Sequence, residues 1–106
     1  MDAPEHAVIV TYALSGSSFG VPEERDAVRT LEKRLATAIE SSRVGELDGN
    51  EFGGGTVVLY AYGRDAGRLF AAMEPELRAF SARPAHAVLR YGDADDPAAI
   101  EQLVDL

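Results

Sequence analysis

The chain has 106 residues, of which 18 are Asp or Glu and 10 are Lys or Arg, so its formal net charge is -8, and it contains no cysteine. This length is typical of a single domain, spanning residues 1–106, that buries enough apolar surface to fold unaided. The negative charge argues against nucleic acid and anionic membranes as partners. Without cysteine there are no disulfides or thiolate sites, and together with the lack of a long apolar run this predicts a cytoplasmic protein.

The first part of the chain predicts a strand followed by a helix. Residues 6–14 are almost wholly apolar and β-branched, which is typical of a central strand. After a polar loop, Pro22 occupies a position that the first turn of a helix tolerates. Apolar residues then recur at helical spacing to about Ser42, which predicts one amphipathic helix whose apolar face covers the sheet.

The middle of the chain predicts a hairpin and a second helix. Residues 43–52 form a weak strand pattern, and three glycines then turn the chain into the strong strand pattern of residues 56–62. We expect these two strands to pair antiparallel. Asp65 is the expected cap of a second helix. Pro75 interrupts the apolar stripe of that helix, so we expect a kink or a break near Glu74.

The C-terminal part predicts a fourth strand at residues 85–91. The segment that begins at Asp96 and Pro97 then forms either a short helix or an extended tail. The element order predicts an α+β fold, a ferredoxin-like β-α-β-β-α-β sandwich with both helices on one face of a four-stranded antiparallel sheet. In that topology the two most apolar strands, the first and the third, are the central pair.

Residues 45–55, GELDGNEFGGG, concentrate carboxylates and glycines. Glu46, Asp48 and Asn50 alternate, so on a regular strand they share one face, and Glu51 lies on the other. Their oxygens are ligands that calcium or magnesium takes, but the spacing is not that of an EF-hand. We therefore expect a solvated edge strand whose charges oppose unwanted pairing, with no bound metal or cofactor.

Alternation also places aromatic and ionisable side chains on the sheet face that points away from the helices. The candidates for contact with a ligand or a partner are Glu46, Asp48, Tyr60, Tyr62, His86 and Arg90. The first strand is expected to add His6, Val8, Val10 and Tyr12. Tyr and Arg are enriched in protein interfaces, and an apolar face of this kind is normally covered. We therefore expect a homodimer formed through this face.

Two kinds of function fit these patterns. The favoured one is a non-enzymatic binding or interaction module that engages a protein or a small polar ligand. The alternative is a small cofactorless or metal-assisted enzyme with a Tyr, His, Arg and carboxylate site. Residues 16–20 match the G-x-S-x-G nucleophile motif around Ser18. However, the helix begins only at Pro22 and the chain is too short for a hydrolase sheet, so we interpret the match as accidental.

Three motifs together resemble small uncharacterised bacterial proteins. They are FGxxEER at residues 19–25, ExDGxExGxG at residues 46–55 and YGxDA at residues 62–66. The resemblance spans most of the chain. It implies a self-contained bacterial domain, and it brings no established activity from which residue roles could be carried over.

Overall fold

The computed structural model describes residues 5–15 and 20–106. This part of the chain forms five strands and two helices, namely β1 (His6–Ala13), α1 (Pro22–Ser42), β2 (Glu46–Gly53), β3 (Thr56–Gly63), α2 (Ala66–Ala79), β4 (Ala85–Tyr91) and β5 (Ile100–Asp105). The strands make one antiparallel sheet in the order β2-β3-β1-β4-β5. The predicted α+β class is confirmed. Ser18 and the rest of its motif up to Phe19 lie outside the described residues.

Both helices pack on the same face of the sheet, with α1 against β2 and α2, and α2 against β1, β3 and β4. Their predicted apolar stripes are buried, as shown by Val28, Leu31, Leu35 and Ile39 in α1 and by Leu69, Phe70, Met73 and Leu77 in α2. The strands complete the core with Val8, Val10, Tyr12, Val57, Leu59, Ala61, Ala85, Ala87 and Leu89. None of the helices in the described residues is long and apolar enough to span a membrane.

The helix termini follow the predicted signals. Glu24 accepts the N–H of Val21 at 3.1 Å, immediately before the first helical residue Pro22. Asp65 caps α2 through its carboxylate, which accepts the N–H groups of Gly67 and Arg68 at 2.9 and 3.2 Å. Such bonds satisfy donors that have no partner inside the helix, and they explain why both helices begin where the sequence predicts.

Helix α2 is continuous across Pro75, so of the two outcomes expected near Glu74, a kink or a break, the break is wrong. The proline lacks the N–H that would bond to the carbonyl of Ala71. Both Pro75 and Ala71 are exposed. The unpaired carbonyl therefore faces water, where solvent replaces the missing bond, while the opposite side of the helix stays packed on the sheet.

The C-terminal segment adds a fifth strand to the predicted four. Ile100–Asp105 forms β5 and pairs antiparallel with β4, so the helix expected from Asp96 is wrong and the extended alternative holds. The N–H of Leu106 donates to the carbonyl of Ala85 at 3.1 Å. A short isolated helix is marginal in water, whereas the edge of β4 supplies a complete set of backbone partners.

Glycine is required at both ends of the β2–β3 hairpin. Gly54 and Gly55 close it with φ values of 59° and 79°, the pair of positive values that a two-residue turn needs. At the open end, a Cβ on Gly63 would overlap the carbonyl oxygen of Val44, and one on Gly45 would overlap that of Tyr62. Gly45, Gly54 and Gly55 of the glycine-rich segment therefore each have a backbone explanation.

Candidate functional site

The sheet face that points away from α1 and α2, called the open face below, takes a different set of β1 side chains from the one predicted. Val8, Val10 and Tyr12 are all fully buried on the helix side. His6 shares that side, because its Nδ1 accepts the N–H of Ala66 at the start of α2 at 3.1 Å. The expectation that these four residues join the open face is therefore wrong.

The β1 residues on the open face are Ala7, Ile9, Thr11 and Ala13. In a strand that is apolar at nearly every position, the sequence does not show which alternate residues face the core, since either set can be buried. Pairing with β3 decides which set faces the core. Val10 lies opposite Leu59, which is fully buried, so both side chains belong to the core.

Three cross-strand rows make up the open face, each running from β2 through β3, β1 and β4 to β5. The central row is Gly49, Tyr60, Ile9, Val88 and Leu103. One flanking row is Glu51, Val58, Thr11, His86 and Asp105, and the other is Glu46, Tyr62, Ala7, Arg90 and Glu101. The face is thus an apolar row between two polar rows that each begin and end in a carboxylate.

Four of the candidate residues lie half-buried on the open face, as the alternation predicts, namely Tyr60, Tyr62, His86 and Arg90. The two tyrosines are on β3 and the other two residues are on β4, with β1 between them. Two strand spacings separate these backbones by about 10 Å. The four residues therefore line a surface that is three strands wide.

A bulge in β2 rearranges the acidic residues. Leu47 and Gly49 oppose consecutive residues of β3, so Asp48 has no partner across the ladder. The extra residue reverses the alternation that follows it. Glu46 and Glu51 consequently share the open face, although the sequence pattern predicts opposite faces for them.

Asn50 lies on the helix side of β2, where its Nδ2 donates to Glu32 Oε1 on α1 at 2.7 Å. The predicted grouping of Asn50 with Glu46 and Asp48 is therefore wrong. Within the described residues, no three Asp, Glu or His side chains come together in a way that could hold a metal ion.

Calcium or magnesium should leave the melting temperature of this protein unchanged. An ion that binds only the native state raises the melting temperature by mass action, and the dispersed carboxylates provide no such site. Thermal unfolding of the parent and of Asp48→Asn, followed with increasing concentrations of each ion, checks this. A saturable rise in the parent that Asp48→Asn lacks would contradict the prediction.

A hydrogen bond within the open face joins one aromatic residue to one acidic residue. The hydroxyl of Tyr60 donates to Glu51 Oε2 at 3.5 Å. Burial, and then the neighbouring carboxylate of Glu51, raise the pKa of Tyr60 above its ordinary value. This phenol therefore stays protonated near neutral pH and acts as a hydrogen-bond donor, not as a base.

Arg90 is held at one end of the open face. Its Nε donates to the carbonyl of Gly92 at 2.8 Å, and its Nη2 donates to that of Glu5 at 3.5 Å. A guanidinium has five N–H donors, so further donors remain after these two bonds. The side chain is thus both anchored and able to bind a carboxylate from outside.

Two exposed apolar residues at the sheet edge are not among the predicted candidates. Ile100 and Leu103 of β5 are 71% and 67% exposed. Their spacing also fits the apolar edge of a helix, which is one of the two forms predicted for this segment. Only on a strand do they fall on opposite faces of the sheet edge.

Elsewhere, an open groove of about 310 Å³ between α1 and α2 contains Arg34 and Glu76 but none of the candidate residues.

No protein family matches the chain, and no curated protein or solved structure matches it significantly. The resemblance of three motifs to small bacterial proteins stays a prediction.

Proposed function

We propose that this protein is a non-enzymatic interaction module that forms a homodimer through its open face. The observation that supports the proposal is the placement of basic and acidic side chains in the same rows on two different strands. Arg90 on β4 shares a row with Glu46 on β2, and His86 on β4 shares a row with Glu51 on β2. The two half-buried strands β3 and β1 lie between them.

A two-fold axis that runs along the strands, between β1 and β3, makes this face complementary to itself. Such an axis places β1 over the partner's β3 and β4 over the partner's β2. Arg90 then lies over Glu46 of the partner subunit, and His86 lies over Glu51 of the partner subunit. Ile9 lies over Tyr60 of the partner subunit, so apolar groups meet at the centre.

The geometry of this packing is the ordinary one for two sheets. Aligned sheets pack about 10 Å apart with their strands within about 30° of each other. With the axis between β1 and β3, β5 lies beyond the partner's β2, so Glu101 and Asp105 remain in water. We further propose that β2-β3-β1-β4 is a ferredoxin-like unit to which β5 is added at the β4 edge.

The motif resemblance and the cysteine-free composition support a bacterial cytoplasmic setting for such a module. The alternative of a small enzyme on the same face has less support. Tyr60 is separated by β1 from His86 and Arg90, and its raised pKa keeps the phenol protonated near neutral pH, where it does not act as a base. A protein or small polar ligand that uses the same surface would compete with the dimer.

Charge exchange tests the dimer directly. Arg90→Glu and Glu46→Arg should each convert the dimer to a monomer, because each variant brings two like-charged pairs into contact. An equimolar mixture of the two single variants should form a heterodimer, and the double variant should again form a homodimer. Sedimentation equilibrium measures all four states.

The matched control is Glu101→Arg, which changes the charge in the same row but on β5, outside the proposed contact. It should leave the dimer intact. A parent that stays monomeric at high concentration contradicts the proposal. So does a pair of single variants that, although both folded by circular dichroism, remain monomeric when mixed.

A further inference from the structure

We propose that the free edge of β5 binds an extended basic segment of another protein, which joins the sheet as an additional strand. The edge is defined by the main-chain groups of Glu101, Leu103 and Asp105. This contact is distinct from the homodimer contact, because it uses the main chain of an outer strand and not the open face.

In the part of the chain that the structure describes, the backbone pairing leaves one side of β5 unoccupied. The N–H of Leu106 donates to the carbonyl of Ala85 on β4 at 3.1 Å. Because bonding direction alternates along a strand, residues 104, 102 and 100 also bond to β4, whereas Glu101, Leu103 and Asp105 point away from it.

Among the described residues, a single bond reaches these outward groups. Arg78 Nη1 donates to the carbonyl of Asp105 at 3.4 Å, at the end of the strand. The N–H and C=O groups of Glu101 and Leu103 have no protein partner in the described residues. They form a template for main-chain bonds to an added strand.

The side chains of β5 provide apolar contact on both sides of this edge. Leu103 points to the open face and Ile100 to the helix side, with 67% and 71% of their surfaces exposed. Within the described residues neither helix lies alongside β5, and α2 contacts it at Asp105 through Arg78. The other outer strand, β2, carries the bulge at Asp48, a device that blunts an edge. The pairing of β5 with β4 contains no such bulge.

The charges of β5 determine which kind of added strand can pair with it. Glu101 and Asp105 flank Leu103 on the same face, and β5 contains no Lys or Arg. A second copy that paired antiparallel around Leu103 would place Glu101 opposite Asp105 of the partner subunit, twice. Like charges directly opposite are destabilising, so this self-pairing is disfavoured. A strand with basic, apolar and basic residues at alternate positions places cations opposite both carboxylates.

A labelled synthetic peptide, Thr-Lys-Thr-Val-Thr-Lys-Thr, tests the proposal by fluorescence anisotropy with the parent protein. Its valine pairs with Leu103 and its lysines pair with Glu101 and Asp105. We expect saturable binding. Replacing both lysines with glutamate should weaken binding at least about tenfold, since attraction becomes repulsion at two cross-strand pairs.

Peptide N-methylation separates strand addition from simple charge attraction. The N–H of the valine points toward β5 and those of the adjacent threonines point away. N-methylation of the valine should therefore weaken binding about tenfold or more, whereas N-methylation of an adjacent threonine should leave it unchanged. Equal binding of the two methylated peptides, or no binding of the parent peptide, overturns the proposal.

Leu103→Pro provides the protein-side test, because it removes an N–H that points away from β4 and so costs no existing ladder bond. It should abolish peptide binding. Glu46→Arg, which should abolish the dimer, lies on β2 and should bind the peptide as the parent does, so the two proposals fail independently. If the parent instead self-associates through β5, and Leu103→Pro removes that association, a second copy is the occupant and the basic-segment proposal is wrong.

Discussion

Leu35→Ala and Leu59→Ala should each lower the free energy of unfolding by about 2–5 kcal/mol. Both side chains are fully buried, Leu35 on α1 and Leu59 on β3, in the core between the helices and the sheet. Truncation removes apolar contact and leaves a cavity that the close-packed surroundings fill only in part. Urea unfolding followed by circular dichroism measures the change.

Arg34→Ala is the matched control for Leu35→Ala, because it changes the adjacent residue of the same helix. The Arg34 side chain is 65% exposed, and its ion pair with Glu76 is 3.8 Å long. An exposed pair of this kind contributes little, so the change should stay within about 0.5 kcal/mol. Leucine variants with the midpoint of the parent would contradict the position of the core.

Tyr12→Phe should cost about 1–3 kcal/mol, because it removes the donor of a buried hydrogen bond. The hydroxyl of Tyr12 donates to the carbonyl of Leu77 at 2.6 Å. That carbonyl lies in the last turn of α2, where no intrahelical N–H is available to it. The same variant should also alter the response of the protein to alkaline pH.

Burial raises the pKa of Tyr12 from 10.0 to about 12, and the positive charge of Arg83 opposes this only in part. Because the unfolded state loses the Tyr12 proton first, this contribution to stability is complete below pH 10.0 and is lost as the pH rises towards about 12. The difference between the pKa values of Tyr12 in the unfolded and folded states corresponds to about 3 kcal/mol of stability.

Urea unfolding of the parent and of Tyr12→Phe across this alkaline range isolates the contribution of Tyr12, since the other titrating groups are common to both proteins. The stability of the parent should fall more steeply with pH. Parallel pH profiles would show that the Tyr12 hydroxyl is not held in the buried bond.

The sequence predicts those elements whose signals are local. The apolar stripe of α1, the Asp65 cap of α2 and the bounds of β4 depend on residues within one or two turns, or on one strand, and the structure has all of them. The clear alternation in β3 and β4 likewise predicts which side of the sheet Tyr60 and Arg90 occupy. What alternation cannot predict is how far apart two strands lie, because that depends on the order of strands in the sheet.

Only the tertiary structure decided three features on which the proposals depend. In β1, almost every side chain is apolar, so pairing with β3 selected Val8, Val10 and Tyr12 for the core. In β2, the bulge at Asp48 reversed the alternation and brought Glu46 and Glu51 to one face. At the C-terminus, a spacing that suits either a helix or a strand became a strand because the backbone groups of β4 were available to pair with it. Each of these depends on a partner distant in sequence, whereas the helices, the caps and the two clearly alternating strands are determined by neighbours along the chain.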